Sequence, residues 1–206
     1  SFVYYLLSLG CFVFSLMSKS MAVTLPLILW TIQYYRKAKV ERSFYIQSIP
    51  YFILSMGFGI LAIYSQRTQG YIADYNFSYL DKFFLASYAW AFYIVKLIVP
   101  FDLSVLHPFP KNGLTFIHYI SPLFWVGMAW FISRAIQWRK LLTFGFLFYT
   151  LSIIIVLQII SVGAAVVSER YTYLPYLGLF FILAKIAFEN YHSHKKIILG
   201  VVGFYT

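Results

Sequence analysis

Long apolar blocks broken by short charged connections set the terms for this chain. Phe2 to Met17 carries no charged residue, and comparable blocks follow along the 206 residues. At about 1.5 Å of rise per residue, a helical block of this length approaches the ~30 Å of a bilayer core. Lipid offers no partner to backbone N–H and C=O groups, so such blocks enter it as helices. Composition argues against a soluble fold. Hydrophobic residues make up 62% of the chain and charged residues 11%, and mean hydropathy is +0.78. A soluble domain carries about 25% charged residues. The sequence therefore predicts an all-α, polytopic integral membrane protein in contact with membrane lipids.

Membrane-embedded segments are expected at 2–17, 21–35, 48–65, 83–100, 117–133, 141–161, 174–188 and from 197 onward. Basic residues lie between them, in clusters around Arg36 to Arg42, at Arg134 with Arg139 and Lys140, and at Lys185 with Lys195 and Lys196. These clusters hold ten of the sixteen Lys and Arg residues. Positive charge in short connections marks the cytoplasmic side. The formal charge of +10 thus reports orientation, and a nucleic-acid partner is not expected. Cys11, the single cysteine, has no intrachain partner for a disulfide.

The assignment raises a parity problem. Three apolar blocks separate Arg42 from Arg134, whereas two cytoplasmic ends require an even number of crossings. Segment 83–100 is the block expected not to cross, because Lys96 falls within it and Asp81, Lys82 and Asp102 flank it. A lysine at the centre of a span costs ~2.5–3.5 kcal/mol on insertion scales, and at the interface it snorkels. Residues 79–98 then form a helix along the non-cytoplasmic surface. The other reading is a true span with Lys96 turned to a protein interior. The expected organisation is one transmembrane domain over 1–206, with about seven embedded helices and an interfacial helix. Its non-cytoplasmic region falls at about 66–116. The apolar run at residue 1 and the half-span at the end are read as marks of a fragment of a longer protein.

Chemistry-bearing residues are sparse. No metal-ligating cluster, phosphate-cradling glycine loop or nucleophile elbow is present. His192 and His194, beside Lys195 and Lys196, read as solvated residues, and Asn76-Phe77-Ser78 reads as a chance sequon. Four of the six acidic residues, Asp74, Asp81, Asp102 and Glu169, fall on the expected outer side. There Lys19 occupies a turn between two apolar blocks, and Glu169-Arg170-Tyr171-Thr172-Tyr173-Leu174-Pro175 opens another. A guanidinium flanked by tyrosine hydroxyls suits a lipid-linked phosphate. The plain alternatives are a Glu169–Arg170 ion pair and an aromatic belt, since aromatics are 22% of the chain. Asp102 to Lys111, with His107-Pro108-Phe109-Pro110 inside it, reads as a proline-braced loop over the same surface.

Three stretches carry a family resemblance. Phe14-Ser15-Leu16-Met17-Ser18-Lys19-Ser20-Met21-Ala22-Val23-Thr24-Leu25-Pro26 resembles the Ser-Lys hairpin of the transmembrane-and-tetratricopeptide-repeat glycosyltransferases, the O-mannosyltransferase-like family with bacterial relatives. Tyr64-Ser65-Gln66-Arg67 and Val99 to Pro108 resemble the middle of those proteins. Glu169 to Leu179 is similar to their Arg-Tyr-x-Tyr-Leu-Pro signature, while Ser20 stands where the family more often has a charged residue. The resemblance implies a GT-C membrane fold and transfer of a sugar from a polyprenyl-phosphate donor to a protein acceptor outside the cytoplasm. It also implies an acidic general base on a loop preceding Ser1, and helical repeats beyond Thr206. Carried over as lipid-phosphate ligands are Lys19, Arg170 and Tyr171, with Glu169, Tyr173 and His107 as neighbours. The composition fits a bacterial inner membrane rather than the endoplasmic reticulum. The alternative function is a non-catalytic scaffold subunit bound to partner subunits of a larger assembly.

Overall fold

A computed structural model describes residues 2–36, 41–68, 77–101, 104, 106–110, 113–157 and 165–205, with side chains described as far as Asn190. Expectations for Lys37, Lys39, Asp74, Asn76, Asp102 and Lys111, and for the side chains of His192, His194, Lys195 and Lys196, lie outside these residues.

The chain is mostly helical. Helix α1 spans Phe2–Ser18, and a 3-10 segment at Ser20–Thr24 leads into α2, Leu25–Arg36. Then follow α3 at Arg42–Thr68, α4 at Tyr79–Ile98, α5 at Phe116–Ile120, α6 at Pro122–Arg134 and α7 at Arg139–Ile153. Helix α8 runs from Tyr176 to Tyr205. By length and composition, Arg42–Thr68, Phe116–Arg134 and Arg139–Val156 are long and apolar enough to cross a membrane, and Phe2–Ser18 is a shorter apolar helix. The helix expected over 79–98 is α4, within the same bounds. Its first turn is capped by the Asp81 carboxylate, which accepts the Ser78 N–H at 3.0 Å. Near its other end Lys96 donates to the Phe101 carbonyl and lies 5.4 Å from the Phe92 ring, so the ammonium leans toward the segment that follows the helix.

One expectation fails. Separate segments at 174–188 and from 197 onward are a single helix. The intervening Glu189 to Lys196 stretch is polar, yet it contains neither Gly nor Pro to interrupt the backbone ladder. Charge there marks where an apolar face ends, not where a helix ends.

Packing defines two ends. Lys140 Nζ, at the start of α7, lies 5.9 Å from the Tyr34 ring and 5.7 Å from the Tyr35 ring at the end of α2. Tyr35 also meets Phe144 of α7 and Phe181 of α8, at 4.5 and 5.5 Å between ring centroids. The basic residues Arg36 and Lys140 therefore share one end of the molecule. Helices α1 and α3 run parallel away from it. Tyr5 Oη donates to the Gln47 carbonyl at 3.0 Å, and one turn further on Ser8 pairs with the Tyr51 hydroxyl. Helices α7 and α8 come together where each has a glycine. A Cβ on Gly178 would stand 2.7 Å from the Gly145 carbonyl oxygen, so only the bare backbone permits this approach.

Candidate functional site

The opposite end is assembled from turns rather than from helix faces. Lys19 is an extended residue (φ −152°, ψ 128°) between α1 and the 3-10 segment that follows, so the backbone turns at the lysine. A two-stranded antiparallel ribbon pairs β1, His107–Pro108, with β2, Ala165–Val167. A 3-10 turn, Glu169–Tyr171, comes directly after β2 and leads through Pro175 into α8.

Buried tyrosines hold this turn against α4. Tyr93, with no exposed surface, accepts the Ser168 N–H at 2.9 Å and donates to the Ser168 carbonyl at 3.1 Å. Tyr176 Oη donates to the Tyr93 carbonyl at 2.7 Å, and Tyr149 Oη to the Trp90 carbonyl at 2.7 Å. A phenol spans further than a Ser or Thr hydroxyl, so one side chain satisfies backbone groups on a distant element. Residue 168 is thereby fixed immediately before the Glu169–Tyr171 turn.

Of the six residues singled out from the sequence, Lys19, Arg170, Tyr171 and Tyr173 come together, while the Glu169 side chain meets His107 in a second contact. Lys19 Nζ donates to the Tyr173 hydroxyl at 3.2 Å and lies 4.6 Å from the Tyr173 ring and 5.5 Å from the Tyr171 ring. Arg170 Nη2 donates to the Tyr171 hydroxyl at 3.0 Å, and the guanidinium carbon lies 5.0 Å from the same ring. The two cations thus share one tyrosine. Among the described residues, neither stands in an ion pair with a carboxylate.

Glu169 does not pair with Arg170. Its Oε1 accepts the Ser104 N–H at 3.2 Å and stands 3.5 Å from His107 Nε2, at ion-pair rather than hydrogen-bond geometry. The His107 ring in turn packs edge-on to Phe92 at 5.0 Å. Phe92 also lines an apolar groove of about 680 Å³ between α4 and α5–α6, with Tyr88, Val95, Phe124, Met128 and Phe131 among its walls.

Sequence reasoning missed Tyr93, Ser104 and Ser168. Ser104 and Ser168 act through backbone groups, which no residue type announces. Tyr93 sits in a helix that also holds Tyr79, Tyr88, Trp90 and three other aromatics, where nothing in the sequence marks it out. Among the described residues no group of His, Cys, Asp and Glu could hold a metal ion. Comparison with known protein families, curated proteins and solved structures finds no match to this chain.

Proposed function

We propose that the Lys19 end binds the phosphate of a polyprenyl-phosphate sugar, and that the chain is the membrane core of a GT-C-type glycosyltransferase acting on the non-cytoplasmic side. The carrying observation is that Lys19 and Arg170 converge on Tyr171, and that among the described residues no carboxylate pairs with either. Two cations with phenol donors beside them make an anion receptor, and the planar guanidinium can take phosphate oxygens in pairs.

In such a transfer the bond from the anomeric carbon to the phosphate oxygen breaks, and its electron pair stays on the phosphate. The acceptor oxygen forms the new bond and gives its proton to a base. Lys19 and Arg170 stabilise the charge that grows on the leaving phosphate, where fixed donors act most strongly. The apolar groove beside Phe92 offers a path for the prenyl chain, one aromatic contact from His107. On this reading the shorter helices are also embedded, giving a polytopic fold in a bacterial inner membrane. A second reading, a non-catalytic scaffold, draws on Glu169. The carboxylate at this site is already engaged by Ser104 and His107.

The test uses the full-length protein in membranes supplied with radiolabelled polyprenyl-phosphate sugar. Label should pass to an acceptor with the wild type and fall sharply with Lys19→Ala or Arg170→Ala. Undiminished transfer by both well-inserted variants would refute the assignment of the phosphate site. An inactive wild type that binds the donor would favour the scaffold.

A further inference from the structure

The geometry points to Glu169 and His107 as a positioning pair that keeps Arg170 available to an anion, an inference that rests on the phosphate-site reading above. Adjacent Glu and Arg residues at a membrane surface have an obvious way to satisfy one another, and an Arg170 neutralised in that way would bind phosphate poorly. The fold directs the carboxylate elsewhere. Glu169 Oε1 faces the strap that contains β1, where the Ser104 N–H reaches it at 3.2 Å and His107 Nε2 stands at 3.5 Å.

Three further contacts fix that direction. His107 is paired with Val167, two residues before Glu169, so the ribbon holds the imidazole and the carboxylate together. Tyr93 engages both backbone groups of Ser168. On the other side Thr172 Oγ1 donates to the Glu169 carbonyl at 2.8 Å. The backbone on both sides of Glu169 is thus anchored, and its carboxylate turns to the strap while Arg170 turns to Tyr171. His107 Nε2 is itself shielded from solvent, and among the described residues it has no hydrogen-bond partner. Glu169 is the group it faces. Without His107, the carboxylate keeps, among the described residues, the Ser104 contact and becomes a competitor for Arg170 and Lys19.

The pair acts through Arg170 and not on the substrate, so its signature is a rescue. The full-length protein in nanodiscs is titrated with farnesyl phosphate as probe. Histidine removal, His107→Ala, should weaken binding about tenfold, the scale of one competing charge near a protein surface. Adding Glu169→Gln to it should restore most of that loss, because the amide still accepts the Ser104 N–H but no longer competes as an anion. His107→Phe, which keeps a ring against Phe92 but no nitrogen to face the carboxylate, should weaken binding to the same extent, and it tests the inference even where His107→Ala does not fold. Wild-type binding by a well-folded His107→Phe, or a double variant as weak as His107→Ala, would overturn the inference in favour of a merely structural contact. Arg170→Ala is the control for the underlying reading. If it binds like the wild type, the phosphate site itself is wrong. If it binds weakly while His107→Ala binds normally, the site stands and the positioning role falls.

Discussion

Lys19 Nζ and the Tyr173 hydroxyl are 3.2 Å apart, although 154 positions separate the two residues in the chain. The contact joins the first helical hairpin to the turn that opens α8. Around it the molecule gathers two cations, two exposed or half-exposed tyrosines and a carboxylate already engaged by the strap on β1. A surface of this kind contributes little to stability, since exposed cation–ring contacts are worth about 0.5–1 kcal/mol. On the proposed reading its chemistry is that of a receptor for negative charge.

The contact of Lys140 with Tyr34 and Tyr35 puts the basic residues Arg36 and Lys140 at one end, which the positive-inside reading makes cytoplasmic. If the basic end is cytoplasmic, single cysteines at Arg36 and Lys140 in a Cys11→Ser background should resist an impermeant thiol reagent in intact cells. A cysteine at Thr115 should label. Labelling at Lys140 together with protection at Arg36 would contradict the shared end that the contacts of Lys140 with Tyr34 and Tyr35 define.

The α7–α8 approach predicts a packing defect. In Gly178→Ala the new methyl would stand 2.7 Å from the Gly145 carbonyl oxygen and 2.9 Å from the Phe148 ring. The helices must separate to admit it, at a cost of about 1–3 kcal/mol. Unfolding in detergent should report that loss. Gly10→Ala, with nothing within 4 Å of its added methyl, should leave stability nearly unchanged.

Tyr93→Phe removes a phenol that bonds to both backbone groups of Ser168. The expected cost is about 1–3 kcal/mol, because buried backbone groups lose a partner. Amide exchange should accelerate at Ser168 and through Glu169–Tyr171 while α7 stays protected. Uniform acceleration across all helices would mean that the phenol supports the whole bundle rather than this turn.

How much of this was legible in the sequence depends on the kind of signal. Lys19 and Arg170 stood out because a charge is conspicuous in an apolar chain, and the same contrast located α4 between Asp81 and Lys96. The helix ends around α8 were misread, since the polar stretch from Glu189 to Lys196 suggested a break where backbone propensity supports none. Adjacency offered a Glu169–Arg170 pair as the plain alternative to a phosphate site. The carboxylate instead turns to Ser104 and His107, which only the long-range pairing of β1 with β2 brings within reach. Local pattern carries no record of such a pairing.

The central claim is that Lys19 and Arg170 together recognise a lipid-borne phosphate, and equilibrium binding tests it most directly. Purified full-length protein in nanodiscs is titrated with farnesyl phosphate and, in parallel, with farnesol, which has the same chain and no charge. The wild type should prefer the phosphate by about tenfold or more, in keeping with one or two charge-assisted hydrogen bonds at about 1.5–3 kcal/mol each. Arg170→Lys should keep part of that preference, and the double variant Lys19→Ala/Arg170→Ala should lose it while binding farnesol unchanged. Equal affinity of the wild type for both probes, or a preference that survives in the double variant, would contradict the account.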